Sequence, residues 1–380
     1  MAFPVTQFNQ QAAEQAARNQ DNIRLAREHY QRRLGVESGL PERPEAGTLY
    51  VTDSFEGGTT PEGRHGENVA ASARSTGFDG PLRLRQFAST RSLVYDPRSA
   101  LHPDRQADEY LHQLGHFAQE RYLHVLVPAT ERIEELNQAG VHHSALNISM
   151  GTSVLRLAKE HYQDLICGRA DLEGAARAYG LDAQKLNSPD ANVRQQEQQR
   201  LQQALIERLQ ETVHKSASIQ QAEGDYGRAV ERFVASRNSL VVAGGNDGEV
   251  LEQMAEESGG RMPRVSPSAW DSPLITSQVV AVGGTASETA SQPAAYSRSH
   301  RQNQLYATGG VPGSLFEKGS SFAAPRVAAL MAELHRRHTA LNSREILDEV
   351  VRDFTQPRQN TDLPVLNLEA TRRFLEQRKG

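Results

Sequence analysis

Short runs of apolar residues alternate along the chain with longer segments in which apolar residues recur every three or four positions. Each run is short enough to form a buried strand, and the runs lie at 48–52, 83–87, 145–151, 239–243 and 278–282. Several of the segments between them have the spacing of amphipathic helices. Strands that alternate with helices predict an α/β fold with a mostly parallel central sheet, flanked by helices in three layers.

Helical spacing is clearest in the segments 105–122, 131–139, 343–354 and 367–378. Gly140 is expected to end the second of these helices as a C-cap. Asn342 and Glu345 resemble a capping box at the start of the third. The apolar run 123–127 fits either a strand or part of a helix, so its periodicity leaves both interpretations open.

Residues 152–236 interrupt the alternation, because they contain strong helical patterns and almost no strand signal. Within them, Leu201, Leu205, Leu209 and Val213 form one apolar stripe at four-residue steps. We interpret the segment as a helical insertion whose stripe packs on a partner helix or on the main domain. A substrate lid or a partner-docking arm is the alternative.

The first 46 residues differ in composition from the rest of the chain. Residues 5–35 are polar with weak helical spacing, and 37–47 contain Pro41 and Pro44, which indicate a linker. The sequence therefore predicts an N-terminal helical extension and linker over 1–46 and one domain over 47–380. The extension is either a solvated helix or a docking or autoinhibitory segment.

Composition excludes several classes of function. The chain has 380 residues and a net charge of −5, so no global positive field attracts nucleic acid or an anionic membrane. No apolar run is long enough to span a bilayer, and the N-terminus has no pattern of a cleaved signal peptide. The single cysteine, Cys167, rules out an internal disulfide. These features favour the cytoplasm, with export by a dedicated secretion system as the alternative.

Four polar residues stand where strands end or helices begin. Asp53 and Asn246 follow predicted strands, while His65 and Ser321 lie at predicted helix starts. Taken alone, each has an ordinary explanation: a turn for Asp53 and Asn246, a surface position for His65, and a helix cap for Ser321. Together, Asp, His and Ser can activate a hydroxyl, because the carboxylate orients the imidazole and the imidazole takes the hydroxyl proton.

Six short motifs, in the same order along the chain, resemble those of the subtilisin-like serine proteases. The strand ending in Asp53-Ser54 resembles the family's Asp motif. His65-Gly66 opens a segment that is similar to its His motif, and Gly319-Ser320-Ser321 opens one similar to its Ser motif. The six matching segments are 49–54, 65–71, 147–151, 243–248, 279–284 and 319–329. The resemblance implies a subtilisin-like fold over 47–380 and hydrolysis of peptide bonds through an acyl-enzyme.

The resemblance also implies roles for individual residues. Ser321 would be the nucleophile and His65 the general base and acid. Asp53 would be the partner of the imidazole, and Asn246 would donate to the oxyanion together with the Ser321 N–H. The residues expected to bind the substrate backbone and flank its pocket are Ser149, Met150, Gly151, Ala243, Gly244 and Gly245. The substrate would be a protein or peptide, with no cofactor, no metal, no nucleic acid and no membrane, and a partner could dock on 152–236.

Some positions depart from the family pattern. Glu67 and Asn68 replace Thr-His after the catalytic histidine, and Arg326 replaces the usual His after Pro325. We expect Glu67 to alter the titration of His65 or to face a basic substrate. Two other functions remain open: a catalytically weak or inactive scaffold that binds proteins, and a hydrolase or transacylase that uses the same four residues on an ester or a ligating peptide.

Overall fold

The structure of the chain is a computed structural model. It describes residues 37–38, 40, 43–53, 65–86, 107–290, 292–297, 302–314, 317–356 and 364–377. The predicted helix at 5–35, the first part of the extension, lies outside these residues. The division into an extension over 1–46 and one domain over 47–380 therefore stays a prediction.

Seven strands within the described residues form one parallel sheet in the order β1-β3-β2-β4-β5-β6-β7. The predicted α/β fold with a parallel central sheet is confirmed. The strands are β1 (Glu37–Ser38), β2 (Leu49–Asp53), β3 (Leu82–Gln86), β4 (Ala145–Ile148), β5 (Ser239–Ala243), β6 (Val280–Thr285) and β7 (Leu305–Thr308). Because all pairs are parallel, the carboxyl ends of β2, β4 and β5 meet at one edge of the sheet, where α/β proteins place their ligands.

Successive side chains of a strand point to opposite faces of the sheet, and in this sheet both faces are buried. In β2, Leu49 and Val51 belong to one apolar cluster, and Tyr50 between them belongs to another. In β4, Ala145 and Leu146 are divided between the same two clusters. The chain therefore has three layers, with a core on each side of the sheet.

Each core is closed by its own set of helices. One face carries α2 (Ala107–Gln138), α3 (Val154–Ile166), α4 (Leu172–Ala178), α5 (Ala183–Leu186), α6 (Ala191–Lys215), α7 (Ala217–Ala235) and α8 (Asp247–Glu257). The other face carries α1 (His65–Arg74), α9 (Ser320–Arg337), α10 (Ser343–Asp353) and α11 (Leu368–Glu376). None of the helices that the structure describes has the length and apolar character needed to cross a membrane.

Two ambiguities of the sequence are resolved by packing. The run 123–127 is helical, because α2 continues through it and through Pro128 as far as Gln138. The stripe formed by Leu201, Leu205 and Leu209 is fully buried in the core that also contains α3. These side chains are used to hold the fold together and are not exposed for docking.

Candidate active site

A cavity of about 490 Å³ opens at the edge where β2, β4 and β5 end and where α1 and α9 begin. Asp53 is the last residue of β2, and His65 is the first residue of α1. Both line the cavity together with Asn246 and Ser321. The structure thus brings together the four residues that the sequence singles out, although they are up to 268 positions apart in the chain.

Asp53 and His65 form the most direct contact of the site. The imidazole Nδ1 lies 2.7 Å from the Asp53 carboxylate, which is completely buried, whereas the His65 side chain is 29% exposed. Burial lowers the pKa of His65, but the charge and hydrogen bond of Asp53 and the charge of Glu317 outweigh it. The pKa of His65 is therefore raised above its ordinary value.

Glu317 is a residue that the sequence does not single out. Its carboxylate accepts a hydrogen bond of 2.8 Å from the side-chain amide of Asn68, one helical turn after His65 on α1. Glu67 is nearer in sequence, yet Glu317 is the carboxylate that raises the pKa of His65 besides Asp53. Asn68, which departs from the family pattern, thus supplies the amide that binds the Glu317 carboxylate.

Ser321 is the second residue of α9, and Gly319 is the N-cap of that helix. The interpretation of Ser321 as a helix cap is therefore wrong, since a cap side chain accepts from a backbone N–H of the first turn. The Ser321 hydroxyl instead donates to the carbonyl oxygen of Ser149 at 2.9 Å. Ser321 and His65 line the same cavity, but no hydrogen bond joins their side chains in the described part of the chain.

Ser149 is tied to Ser321 by a second hydrogen bond of opposite direction. Pro325 lies inside α9 and has no N–H, so the Ser321 carbonyl four residues earlier lacks its helical partner. The Ser149 hydroxyl donates to this carbonyl at 2.8 Å, and the Asn147 side chain donates to the Ser149 Oγ at 2.8 Å. The chain after β4 is thereby fixed against the first turn of α9.

The orientation of Asn246 is set by Ser320, which sequence reasoning missed. Asn246 Oδ1 accepts from the Ser320 N–H at 2.8 Å and from the Ser320 hydroxyl at 2.9 Å. A backbone N–H can only donate, so the bonded atom of Asn246 is its oxygen, and Nδ2 is turned away from this contact. Nδ2 lies beside Gly319, where an added Cβ would be only 2.9 Å from it. The Gly319-Ser320 sequence thus provides both the space and the anchor for the amide.

Five of the six residues expected to flank the substrate line the cavity: Ser149, Met150, Gly151, Ala243 and Gly245. Gly244 is not among the described residues that line it. An added Cβ at Gly244 would lie 1.7 Å from Asn303 Oδ1, so this glycine faces Asn303 and is required for close packing there.

The cavity also has walls formed by residues outside the six motifs, together with Asp247 from the segment 243–248. Val125 from α2 and Trp270 supply apolar surface, while Arg156 from α3 and Asp247 from α8 supply a pair of opposite charges. These residues come from four distant parts of the chain. Only the packing of α2, α3 and α8 on one face of the sheet brings them together.

Arg326, another departure from the family pattern, is buried behind the site. Its guanidinium donates to the backbone carbonyls of Thr308, Gly310 and Phe322. Burial lowers its pKa to about 10. The planar guanidinium carries several donors, so it bonds carbonyls at the end of β7 and in α9 at the same time. A histidine has too few donors to make all of these bonds.

No group of three or more potential metal ligands gathers among the residues that the structure describes.

A family model described as the subtilase family matches residues 144–365. The comparison with curated proteins gives no match.

Solved structures with a similar course of the chain include three proteases. The epidermin leader peptide processing serine protease from Staphylococcus aureus is 11% identical, with a TM-score of 0.43 over 88% of this chain and 76% of the other. A lanthipeptide protease is 11% identical, with a TM-score of 0.40 over 88% and 89% of the two chains. The serine protease MycP1 of the type VII secretion system is 17% identical, with a TM-score of 0.38 over 86% and 82%.

Proposed function

The chain belongs to the subtilase family and is a serine-type peptidase, and from that premise we propose that it is an endopeptidase whose nucleophile is Ser321. In this proposal His65 is the general base and acid, Asp53 orients it, and Asn246 stabilises the oxyanion. The observation that carries the proposal is the convergence of these four side chains on one cavity, with Asp53 and His65 in direct contact.

The Asp53–His65 contact determines which nitrogen of the imidazole acts as the base. An ionised carboxylate only accepts hydrogen bonds, so Nδ1 carries the proton and Nε2 is left with its lone pair. The imidazolium formed during the reaction is stabilised by the same carboxylate. Buried and bonded to His65, Asp53 is suited to both tasks.

Ser321 needs one movement before it can react. Its hydroxyl is bonded to the Ser149 carbonyl, and rotation about χ1 would turn it toward the Nε2 of His65 and a bound carbonyl carbon. Contacts between nucleophile and base are often loose in free enzymes and tighten with substrate. His65 then takes the hydroxyl proton as Oγ attacks, and returns it to the leaving amine as the acyl-enzyme forms.

The negative charge of the tetrahedral intermediate would be stabilised by hydrogen bonds from two donors. One is Asn246 Nδ2, which Ser320 keeps available by bonding the other end of the amide. The second is the Ser321 N–H, because an N–H in the first turn of a helix has no intrahelical acceptor. Donors fixed in advance stabilise the transition state without reorganisation.

The test of this proposal is proteolysis of an unfolded protein by wild type and by Ser321→Ala, with labelling by a serine-directed fluorophosphonate in parallel. The wild type should cleave and be labelled, and Ser321→Ala should do neither while keeping its circular dichroism spectrum. Ser236→Ala, which removes an exposed hydroxyl at the end of α7, should behave as wild type. Cleavage that survives in Ser321→Ala would refute the proposal, as would a wild type that is never labelled.

Two further proposals concern the setting of the enzyme. One is a cytoplasmic location, with export as an effector as the alternative; cell fractionation decides between them.

The other is a partner docked on residues 152–236. Since the α6 stripe is buried, such a partner would bind the polar outer faces of these helices, and charge substitutions there should weaken its co-purification.

A further inference from the structure

A pair of histidines lies away from the candidate active site, in a groove of about 620 Å³ between α2 and α6. His112 and His116 line this groove from α2, and both residues are exposed. The described residues that line the groove are all different from those that line the cavity with Ser321. The two histidines also lie outside the six motifs, so the proposed function gives them no task.

The spacing of the two histidines places them on one face of the helix. Residues four positions apart are neighbours on the surface of an α-helix. The Nε2 atoms of His112 and His116 lie 3.0 Å apart. Two nitrogens that each lie about 2.0–2.1 Å from one Zn²⁺ ion are about 2.8–3.4 Å apart, depending on the angle between the two bonds. The pair therefore already has the separation that two ligands of one ion require.

The orientation of the two rings also fits a shared ion. The ring planes are inclined at 87°, and the ring centroids lie 4.4 Å apart. A linear N–H···N hydrogen bond between two imidazoles that point at each other would separate the centroids by about 5 Å. The rings thus meet at an angle, as two imidazoles bound to one ion do. Each presents a lone pair at Nε2 when its proton is on Nδ1.

The charged side chains of the groove do not oppose a bound cation. Arg208 and Lys215 on α6 both donate to the Glu211 carboxylate, which offsets part of their charge. Asp108 precedes His112 by one helical turn and lines the same groove. Two acidic and two basic residues thus line the groove, so it has no excess of positive charge.

We propose that His112 and His116 together bind one divalent transition-metal ion, such as Zn²⁺, through their Nε2 atoms, with water at the remaining positions. Imidazole is a preferred ligand of Zn²⁺, Ni²⁺ and Cu²⁺, whereas Ca²⁺ and Mg²⁺ take oxygen ligands. Both nitrogens reach one ion only when residues 112–116 are helical. The bound ion therefore stabilises the first part of α2 in the folded chain.

The experiment is a calorimetric titration of the full-length chain with Zn²⁺, after purification without a histidine tag. The double variant His112→Ala with His116→Ala should bind one Zn²⁺ ion fewer than wild type. Either single variant should weaken binding at this site at least about tenfold, because one ligand of the chelate is lost. His124→Ala, which removes another histidine of α2, is the matched control and should bind as wild type does. Ca²⁺ in place of Zn²⁺ should not bind to the pair.

Two further measurements give independent readouts. Saturating Zn²⁺ should raise the Tm of wild type more than that of the double variant. Cu²⁺ bound to wild type should give an electron paramagnetic resonance spectrum with two equatorial nitrogens, and this spectrum decides the question without any variant. Equal Zn²⁺ binding by wild type and the double variant would overturn the inference, as would a wild-type spectrum with fewer than two nitrogens. Neither result depends on peptidase activity, so the proposed function is tested separately.

Discussion

The side chains in the two halves of the cavity are held in different ways. The first half contains Asp53 and His65, and the second contains Ser321 and Asn246. Where β2 meets α1, Asp53 and His65 bond directly to each other. On the opposite side, Ser321 bonds to Ser149 and Asn246 bonds to Ser320. The proposed base, His65, is therefore already oriented in the free protein, while the proposed nucleophile, Ser321, is held by its neighbours and would still have to turn. In the proposed mechanism, substrate binding therefore completes the second half and leaves the first as it is.

The largest effect is expected from breaking the first half. Asp53→Asn removes the charge that orients His65, and we expect kcat to fall by about 10⁴, the loss known for the same change in a serine protease triad. The pKa of His65 should fall as well, because Asp53 raises it. The residual activity should therefore persist to lower pH than that of wild type. Steady-state kinetics between pH 5 and 9 measure both effects, and an unchanged rate would refute the role of Asp53.

Asn246→Ala tests the second half at its oxyanion donor. We expect kcat to fall by about 10²–10³ with little change in KM, the range already known for the corresponding donor of subtilisin. The donor would act on the transition state and not on the bound substrate, which is why KM should stay. A rise in KM with unchanged kcat would instead indicate that Asn246 binds the ground state.

Ser320→Ala tests how Asn246 is oriented, because it removes a hydroxyl that donates to Asn246 and accepts from the Gly245 N–H. The hydroxyl bond to Asn246 Oδ1 is lost, but the Ser320 N–H remains. We expect a loss of about fivefold in kcat, in line with one neutral hydrogen bond of ~1 kcal/mol. In the background of Asn246→Ala the same change should have almost no further effect. Equal losses in both backgrounds would show that Ser320 acts by another route.

The smallest effect is expected from Glu317→Gln. This change removes a charge that raises the pKa of His65, so neutral His65 should persist to lower pH. The acid limb of kcat/KM should move to lower pH by less than about one pH unit, since a partly exposed charge is screened by solvent. Glu67→Gln is the matched control and should leave the limb in place. A shift in Glu67→Gln, with none in Glu317→Gln, would reverse the assignment.

The sequence predicts most of the sheet and the four central residues, because both depend on local signals. Asp53 and His65 stand at the boundary of a strand and a helix that short-range patterns define. Ser320, Glu317 and the Arg156–Asp247 pair could not be predicted in their roles, because these depend on which helices pack together. Gly244 shows the same limit: its motif predicts a place beside the substrate, whereas its close packing against Asn303 is visible only in the folded chain.

In the proposed mechanism, Ser321 becomes a nucleophile through His65 and Asp53. Its most direct test is mass-spectrometric mapping of the fluorophosphonate adduct in the full-length chain, with the labelling rate measured against pH. We expect one adduct, on the peptide that contains Ser321, with a rate that rises with pH as His65 loses its proton and that collapses in His65→Ala. An adduct on a different serine, or a rate that is the same in His65→Ala, would contradict it.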